Sequence, residues 1–302
     1  MSAPVLASHI VPDLEEAVRL DKYLVDTFSL FPSRASARKA ARRGEVLVDG
    51  EPRRSGSFVE SGHHIEVLQP VRAPPRPWHL PLELAFVDDW MAVVVKPPGV
   101  MVRGNHYRTL ENALVATLPP SAAAGALRWA NPVHRLDVRT GGLLLVARTG
   151  PAQVALGQML EERSITKRYR ALALGRLEGK GTVREPIEGR DAVSDWRAVA
   201  HTRCLRTDWL TTVDLWPRTG RTHQLRRHLR HLDHPVLGDD LYGTPDCILR
   251  GKGLFLWSVE VALSHPVTGI PMQVTIDEPP KFGTFRAREE RRWARYRPGA
   301  SG

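Results

Sequence analysis

The alternation of apolar and polar positions along the 302 residues changes period several times, and each change marks an element. Leu20, Tyr23, Leu24 and Phe28 fall at i, i+3, i+4 and i+8, which predicts one helical face between Asp13 and Phe28. A second short helix follows. Ser33 is placed to cap it, Arg34 to Arg43 puts alanines on one side and cations on the other, and Gly44 ends it. Val46–Val48 reads as a strand, Asp49-Gly50 as a hairpin turn and His64–Leu68 as a further strand. Five prolines among the thirteen residues from Gln69 to Pro81, with no apolar period, predict a stiff linker outside either core.

Beyond the linker, Leu84 to Val95 reads as two strands around an Asp88-Asp89 turn, running into Lys96-Pro97-Pro98-Gly99, where Lys96 can line a cleft after a core strand but reads first as a solvated lysine at a prolyl turn. Leu143 to Val146 is a continuous aliphatic run behind Gly141-Gly142, the pattern of a strand buried on both faces. Thr149 can cap a helix with Pro151 in its first turn and Ala152, Ala155, Leu156, Met159 and Leu160 on one face. Arg168 to Gly175, Trp196 to Arg203, Trp209 to Trp216, Leu254 to Leu263 and Met272 to Ile276 are further strands, and Glu188 to Ser194 is a polar connection. Thr222 can cap a helix that turns Leu225, Leu229 and Leu232 inward and leaves Arg226, Arg227 and Arg230 on its surface. Strands outnumber helices and do not alternate with them, so the larger part of the chain is expected to be α+β.

Charge sharpens this picture because it is uneven. Residues 33–54 carry +4, residues 218–231 carry +5 and residues 281–302 carry +5, so against a total of +10 the remainder stands at −4. Cationic surfaces over a slightly acidic body fit a polyanionic partner, and three clusters together point to nucleic acid. Residues 281–302 read as a basic tail. No run reaches the ~18 apolar residues of a membrane span, and Met1 to Val11 lacks the features of a signal peptide, so a cytoplasmic location is expected. Cys204 and Cys247 are too far apart for a metal-ligand spacing and read as buried thiols.

The chemistry is expected in Asn131 to Arg148. Asp137 lies there between Arg135 and Arg139, cations that favour a carboxylate available as nucleophile or base, in a loop held by the strand behind it. His134-Arg135-Leu136-Asp137, followed by Thr140-Gly141-Gly142-Leu143-Leu144-Leu145-Val146-Ala147-Arg148, resembles the signature segment of the RluA-type pseudouridine synthase family. Val138 stands where that family usually has a basic residue, and Gly141 where it usually has serine. Lys96-Pro97-Pro98-Gly99, Thr166-Lys167-Arg168-Tyr169, and Gly220 to Arg226 with Pro235 to Gly243 resemble further segments of the same family. Arg19 to Leu24, Ser33-Arg34, Gly44 to Gly50 and Ser61 to Ile65 are similar to an S4-type RNA-binding module.

These resemblances imply an S4-like α/β domain at 1–68, a linker at 69–82, a catalytic domain of mixed, mostly antiparallel sheet at 83–280 and the tail at 281–302. They imply Asp137 as catalytic carboxylate, Arg221 as its ionic partner and Tyr169 as the ring that stacks on the target base. RNA contacts are expected from His134, Arg135 and Arg226, and from Arg34, Arg38, Lys39, Arg42 and Arg43 on the second helix. Four histidines between 223 and 234 raise a zinc reading, against which the surrounding arginines and the lack of Cys partners weigh. No cofactor and no metal are expected, and a monomer is. The implied reaction isomerises uridine in structured RNA, ribosomal in preference to transfer RNA. Its rivals are an RNA-binding assembly factor without catalysis and a hydrolase using His134 or His223 with Asp137.

Overall fold

Antiparallel pairing organises the chain separately on each side of the Pro74–Pro75 bond, giving two units, Met1–Pro74 and Pro75–Gly302. The computed structural model describes residues 5–28, 30–31, 33–68, 75–244, 249 and 251–297. The first unit runs β1 (Val5–Ile10), β2 (Val18–Arg19), α1 (Leu20–Thr27), α2 (Arg34–Arg42), β3 (Val46–Val48), β4 (Glu51–Pro52), β5 (Phe58–Val59) and β6 (His64–Leu68). Its sheet has the order β1-β6-β3-β4, and β2 pairs with β5. The first helix is shorter than its periodicity predicts, because Val18 and Arg19 are spent on pairing with β5. Ser33 caps α2 as expected, accepting from Ser36 N at 3.3 Å while Ser36 Oγ accepts from Ser33 N at 3.2 Å. Ala37, Ala40 and Ala41 bury their side of α2 against Leu20, Leu24 and Ile65.

The second unit runs β7 (Glu83–Val87), β8 (Met91–Lys96), α3 (Leu110–Thr117), β9 (Ala126–Pro132), β10 (Gly141–Thr149), α4 (Gly150–Glu161), β11 (Thr166–Leu174), β12 (Lys180–Val183), β13 (Ser194–Cys204), β14 (Asp208–Pro217), α5 (Gln224–His231), β15 (Leu256–Ser264), β16 (Pro271–Thr275) and α6 (Pro280–Tyr296). One sheet takes the order β12-β13-β14-β11-β15-β10-β8-β7, with β16 beside β15 and β9 beside β10. All its pairings are antiparallel except β10 with β15, which run parallel only through Gly141–Trp257 and Gly142–Ser258. Both faces of the sheet are covered. Leu144 and Val146 face one core layer with α3 and α5, while Leu143, Leu145 and Ala147 face another that includes Leu156 of α4. Alternation between two buried faces is what makes the β10 sequence read as unbroken aliphatics.

Two expectations need correction here. The latter half of the Pro-rich stretch is not outside the core: Trp78, Leu80 and Leu82 pack on it, and Trp78 N donates to Asn112 O at 3.1 Å. The earlier half, 69–74, lies outside the described residues, as does Cys247. The basic C-terminal segment is no tail through Tyr296. It forms α6, which buries Phe282, Phe285, Glu289 and Trp293 on one face. The arginines between these residues dilute the apolar period, so the segment reads as merely charged.

Candidate active site

The parallel junction of β10 with β15 lasts two residues, after which β9 takes over as partner of β10. The loop from Val133 to Thr140 emerges beside this junction and carries Asp137. Gly141 and Gly142 allow the close approach. A Cβ on Gly141 would lie 2.1 Å from the Trp257 ring, and one on Gly142, where φ is +108°, would lie 2.2 Å from Ser258 O. The serine usual in the family at position 141 is thus excluded here by Trp257.

Two side chains fix the loop, the half-buried His134 and the buried Lys96. His134 Nε2 accepts from Leu145 N at 3.0 Å, next to the backbone bond from Val133 N to Leu145 O at 3.1 Å. The imidazole therefore stands in for a strand carbonyl, and burial holds it neutral, down to about 3. His134 borders the cavities on both sides of the loop, but its acceptor nitrogen is spent on the fold, so the expected RNA contact becomes a positioning role. Lys96, expected in solvent, is fully buried and donates to the carbonyls of Pro97, Val100 and Val138 at 2.9, 2.8 and 3.3 Å. Burial lowers its ammonium to about 8, against the pull of Asp137 in the opposite direction.

Asp137, with 18% of its side chain exposed, borders a pocket of about 150 Å³ together with Arg135, Thr140, Lys167, Tyr169, Arg221 and His223. Tyr169 is buried in β11, and burial first, the charge of Asp137 second, push its phenol above the usual value, so it stays neutral. Arg221 reaches the same pocket, but its Nε donates to Asp191 O at 3.0 Å. Among the described residues, the ionisable group that comes within 4.0 Å of the Asp137 carboxylate is His223, through Nε2 to Oδ1. Burial lowers the His223 pKa, partly opposed by Asp137. Arg139 pairs with Asp240, and Arg135 is exposed at the pocket mouth.

The Arg221 loop is built differently from the expected cap. His223, not Thr222, takes the N-cap position of α5, in the left-handed region at φ 55°, and no side chain caps the helix. Gln224 Oε1 accepts from Arg221 N at 3.0 Å and from Thr219 Oγ1 at 2.7 Å. Its Nε2 donates to Val193 O at 2.8 Å, which gives the polar Glu188–Ser194 connection its purpose. Gln224 carries no signal of this role in the sequence, and His223 enters there only as a base in the rival hydrolase or as a zinc ligand, although both lie inside the recognisable Gly220–Arg226 segment. Arg226 is not on the surface. It is 2% exposed and makes two 2.7 Å bonds to the buried Asp239. The other histidines of this segment go separate ways: His228 to Ser194 and Glu185 O, His234 to Leu174 O. Among the described residues no group of three His, Cys, Asp or Glu is placed to hold a metal.

In the first unit, Arg34 and Arg38 are drawn onto the buried Asp21 at 2.9 and 2.7 Å, and Arg43 onto Glu45. Burial opposes ionisation of Asp21, but the two arginine hydrogen bonds outweigh it and hold the carboxyl at about 2. These three guanidinia stay about half exposed. Lys39 and Arg42 are exposed and have no charge partner among the described residues.

Comparison with known proteins agrees with this architecture. Residues 91–231 match the family described as RNA pseudouridylate synthase, and residues 18–65 match the S4 domain. A curated relative, ribosomal large subunit pseudouridine synthase D of Xanthomonas campestris pv. campestris, is 33% identical over 91% of this chain and 89% of its own. An uncharacterized RNA pseudouridine synthase of Chloroflexus aurantiacus is 37% identical over 86% of each chain. Among solved structures, human RNA pseudouridylate synthase domain containing 1 superposes with a TM-score of 0.55 at 26% identity, covering 66% of this chain and 84% of that one. The chain belongs to the RNA pseudouridylate synthase family. It is an RNA-acting isomerase, a pseudouridine synthase with an S4 domain before its catalytic sheet.

Proposed function

We propose that this enzyme converts uridine to pseudouridine in ribosomal RNA, with Asp137 as the reacting carboxylate. The observation that carries the reading is the placement of Asp137, on a loop anchored by Lys96 and His134, at the border of a small pocket it shares with Tyr169. The ribosomal substrate rests on relatives over nearly the whole chain whose names specify the large ribosomal subunit.

In this reading the target uridine leaves its stack at a cost of a few kcal/mol and its base enters the pocket against Tyr169. Asp137 acts at the sugar–base junction: the N1–C1′ bond breaks, the base turns, C1′ bonds to C5, and the proton lost from C5 is balanced by one gained at N1, so the isomer keeps the composition of uridine. Enclosure keeps the detached ring from escaping. Arg221 and Arg135, at the same mouth, offer positive charge to Asp137 or to the phosphates of the extruded nucleotide. Lys39 and Arg42 of the S4 unit grip the RNA backbone, alongside the half-exposed Arg34, Arg38 and Arg43.

The test is incubation of the purified chain with an unmodified large-subunit ribosomal RNA transcript, followed by pseudouridine mapping. The expected result is pseudouridine at defined positions with the wild type and none with Asp137→Asn. Equal product from the variant overturns the assignment of Asp137, and unmodified transcript with the wild type overturns the ribosomal substrate.

A further inference from the structure

Beside the Asp137 pocket, and sharing Arg135, Lys167 and Arg221 with it, lies a larger groove of about 710 Å³. Trp216, at the end of β14, and Arg163, just past α4, line this groove and not the pocket. Trp216 is half-buried, and the Arg197 guanidinium stacks 5.5 Å from its ring centre. Five cations line the groove against two carboxylates, Glu161 and Asp195, and Asp195 is already held by Arg218 Nε at 2.5 Å. Arg163 is exposed, with no charge partner among the described residues. The groove thus combines an aromatic surface, an excess of positive charge and direct continuity with the pocket where the base reacts.

We propose that this groove is a subsite for the nucleotide next to the target uridine, whose base stacks on Trp216 and whose phosphate meets Arg163. It rests on the ribosomal RNA reading above and adds to it a determinant of which uridines are accepted. Once the target base is extruded, its neighbour has lost a stacking partner on one side. An indole backed by a guanidinium replaces that partner, and a base of any identity can use it. The subsite therefore selects for an unpaired or easily unpaired neighbour more than for a particular letter.

The experiment measures pseudouridine formation against RNA concentration for the wild type, Trp216→Ala, Trp216→Phe and Arg163→Glu. The substrate is an RNA fragment spanning a mapped target, intact or with one adjacent base removed. For Trp216→Ala an approximately tenfold rise in KM is expected with kcat nearly unchanged, and Trp216→Phe recovers most of it. Removing the adjacent base on one side raises the wild-type KM to a similar extent and leaves that of Trp216→Ala where it was. Arg163→Glu, on an exposed side chain that the fold does not need, raises KM several-fold and flattens its salt dependence. Wild-type KM in both Trp216→Ala and Arg163→Glu, or equal sensitivity of the wild type and Trp216→Ala to the abasic neighbour, overturns the subsite alone. A wild type that modifies no ribosomal RNA overturns the function and the subsite with it.

Discussion

Lys96 Nζ donates to the backbone carbonyl of Val138, the residue after Asp137, across 42 positions of sequence and at 3.3 Å. The same oxygen accepts from Gly99 N at 2.7 Å, so the end of β8 and the turn after it grip the Asp137 loop twice. Lys96→Met keeps the length of the side chain and removes the three donors. Expected outcomes are a loss of about 1–3 kcal/mol in urea unfolding and a fall in kcat of about ten- to a hundredfold, because a small displacement of the carboxylate misaligns attack. Unchanged kcat would show that the loop holds its geometry without the ammonium.

The His134 imidazole gives the stability a pH dependence with a definite sign. Its folded pKa, about 3, lies below the ordinary value of 6.5, so the unfolded chain takes up the proton first. Its contribution is complete above about pH 6.5 and declines as pH falls toward 3. Between pH 7 and pH 5 this amounts to about 2 kcal/mol. His134→Gln, which keeps an acceptor but does not titrate, should show a shallower loss over that interval when unfolding is followed at both pH values. Parallel curves for the two proteins would assign the dependence to other histidines.

Arg226 and Asp239 form a buried pair, and its two members are 2% and 1% exposed. Arg226→Met strands a buried carboxylate and is expected to cost about 3–5 kcal/mol. RNA affinity of the protein that remains folded should keep its wild-type salt dependence, as read by fluorescence anisotropy over a salt series. A reduced salt slope with stability intact would return Arg226 to the RNA-facing surface.

The opposite outcome is expected on α2. Replacing both Lys39 and Arg42 by alanine touches no acid and buries nothing, so stability should change by less than about 0.5 kcal/mol. The slope of log affinity against log salt should fall by roughly 1–2, the signature of lost phosphate contacts.

The Trp257 ring leaves no room for a side chain at Gly141. Gly141→Ser should cost about 1–3 kcal/mol, since its Cβ would enter the indole. Adding Trp257→Leu should recover part of that loss, with a coupling of about 0.5–3 kcal/mol in a double-mutant cycle. Strict additivity would mean that the ring moves aside freely.

What was legible in the sequence was what neighbouring residues decide among themselves. The strand behind Asp137, the helix capped at Ser33 and the hairpin at Asp88-Asp89 follow from backbone periods of 2.0 and 3.6 and from local capping, all set within a few residues. The segment around Asp137 and the Gly220–Arg226 stretch were recognisable because their chemistry is written in short contiguous runs. The fate of individual charges was not legible. Arg226 is buried because Asp239 meets it, Arg34 and Arg38 are pinned because Asp21 lies beneath them, and Lys96 is dry because three carbonyls surround it. A long cationic side chain has the same local pattern whether it faces water or a buried acceptor. Only the tertiary structure supplies the partner, and with it the balance between desolvation and pairing that sends the charge in or out.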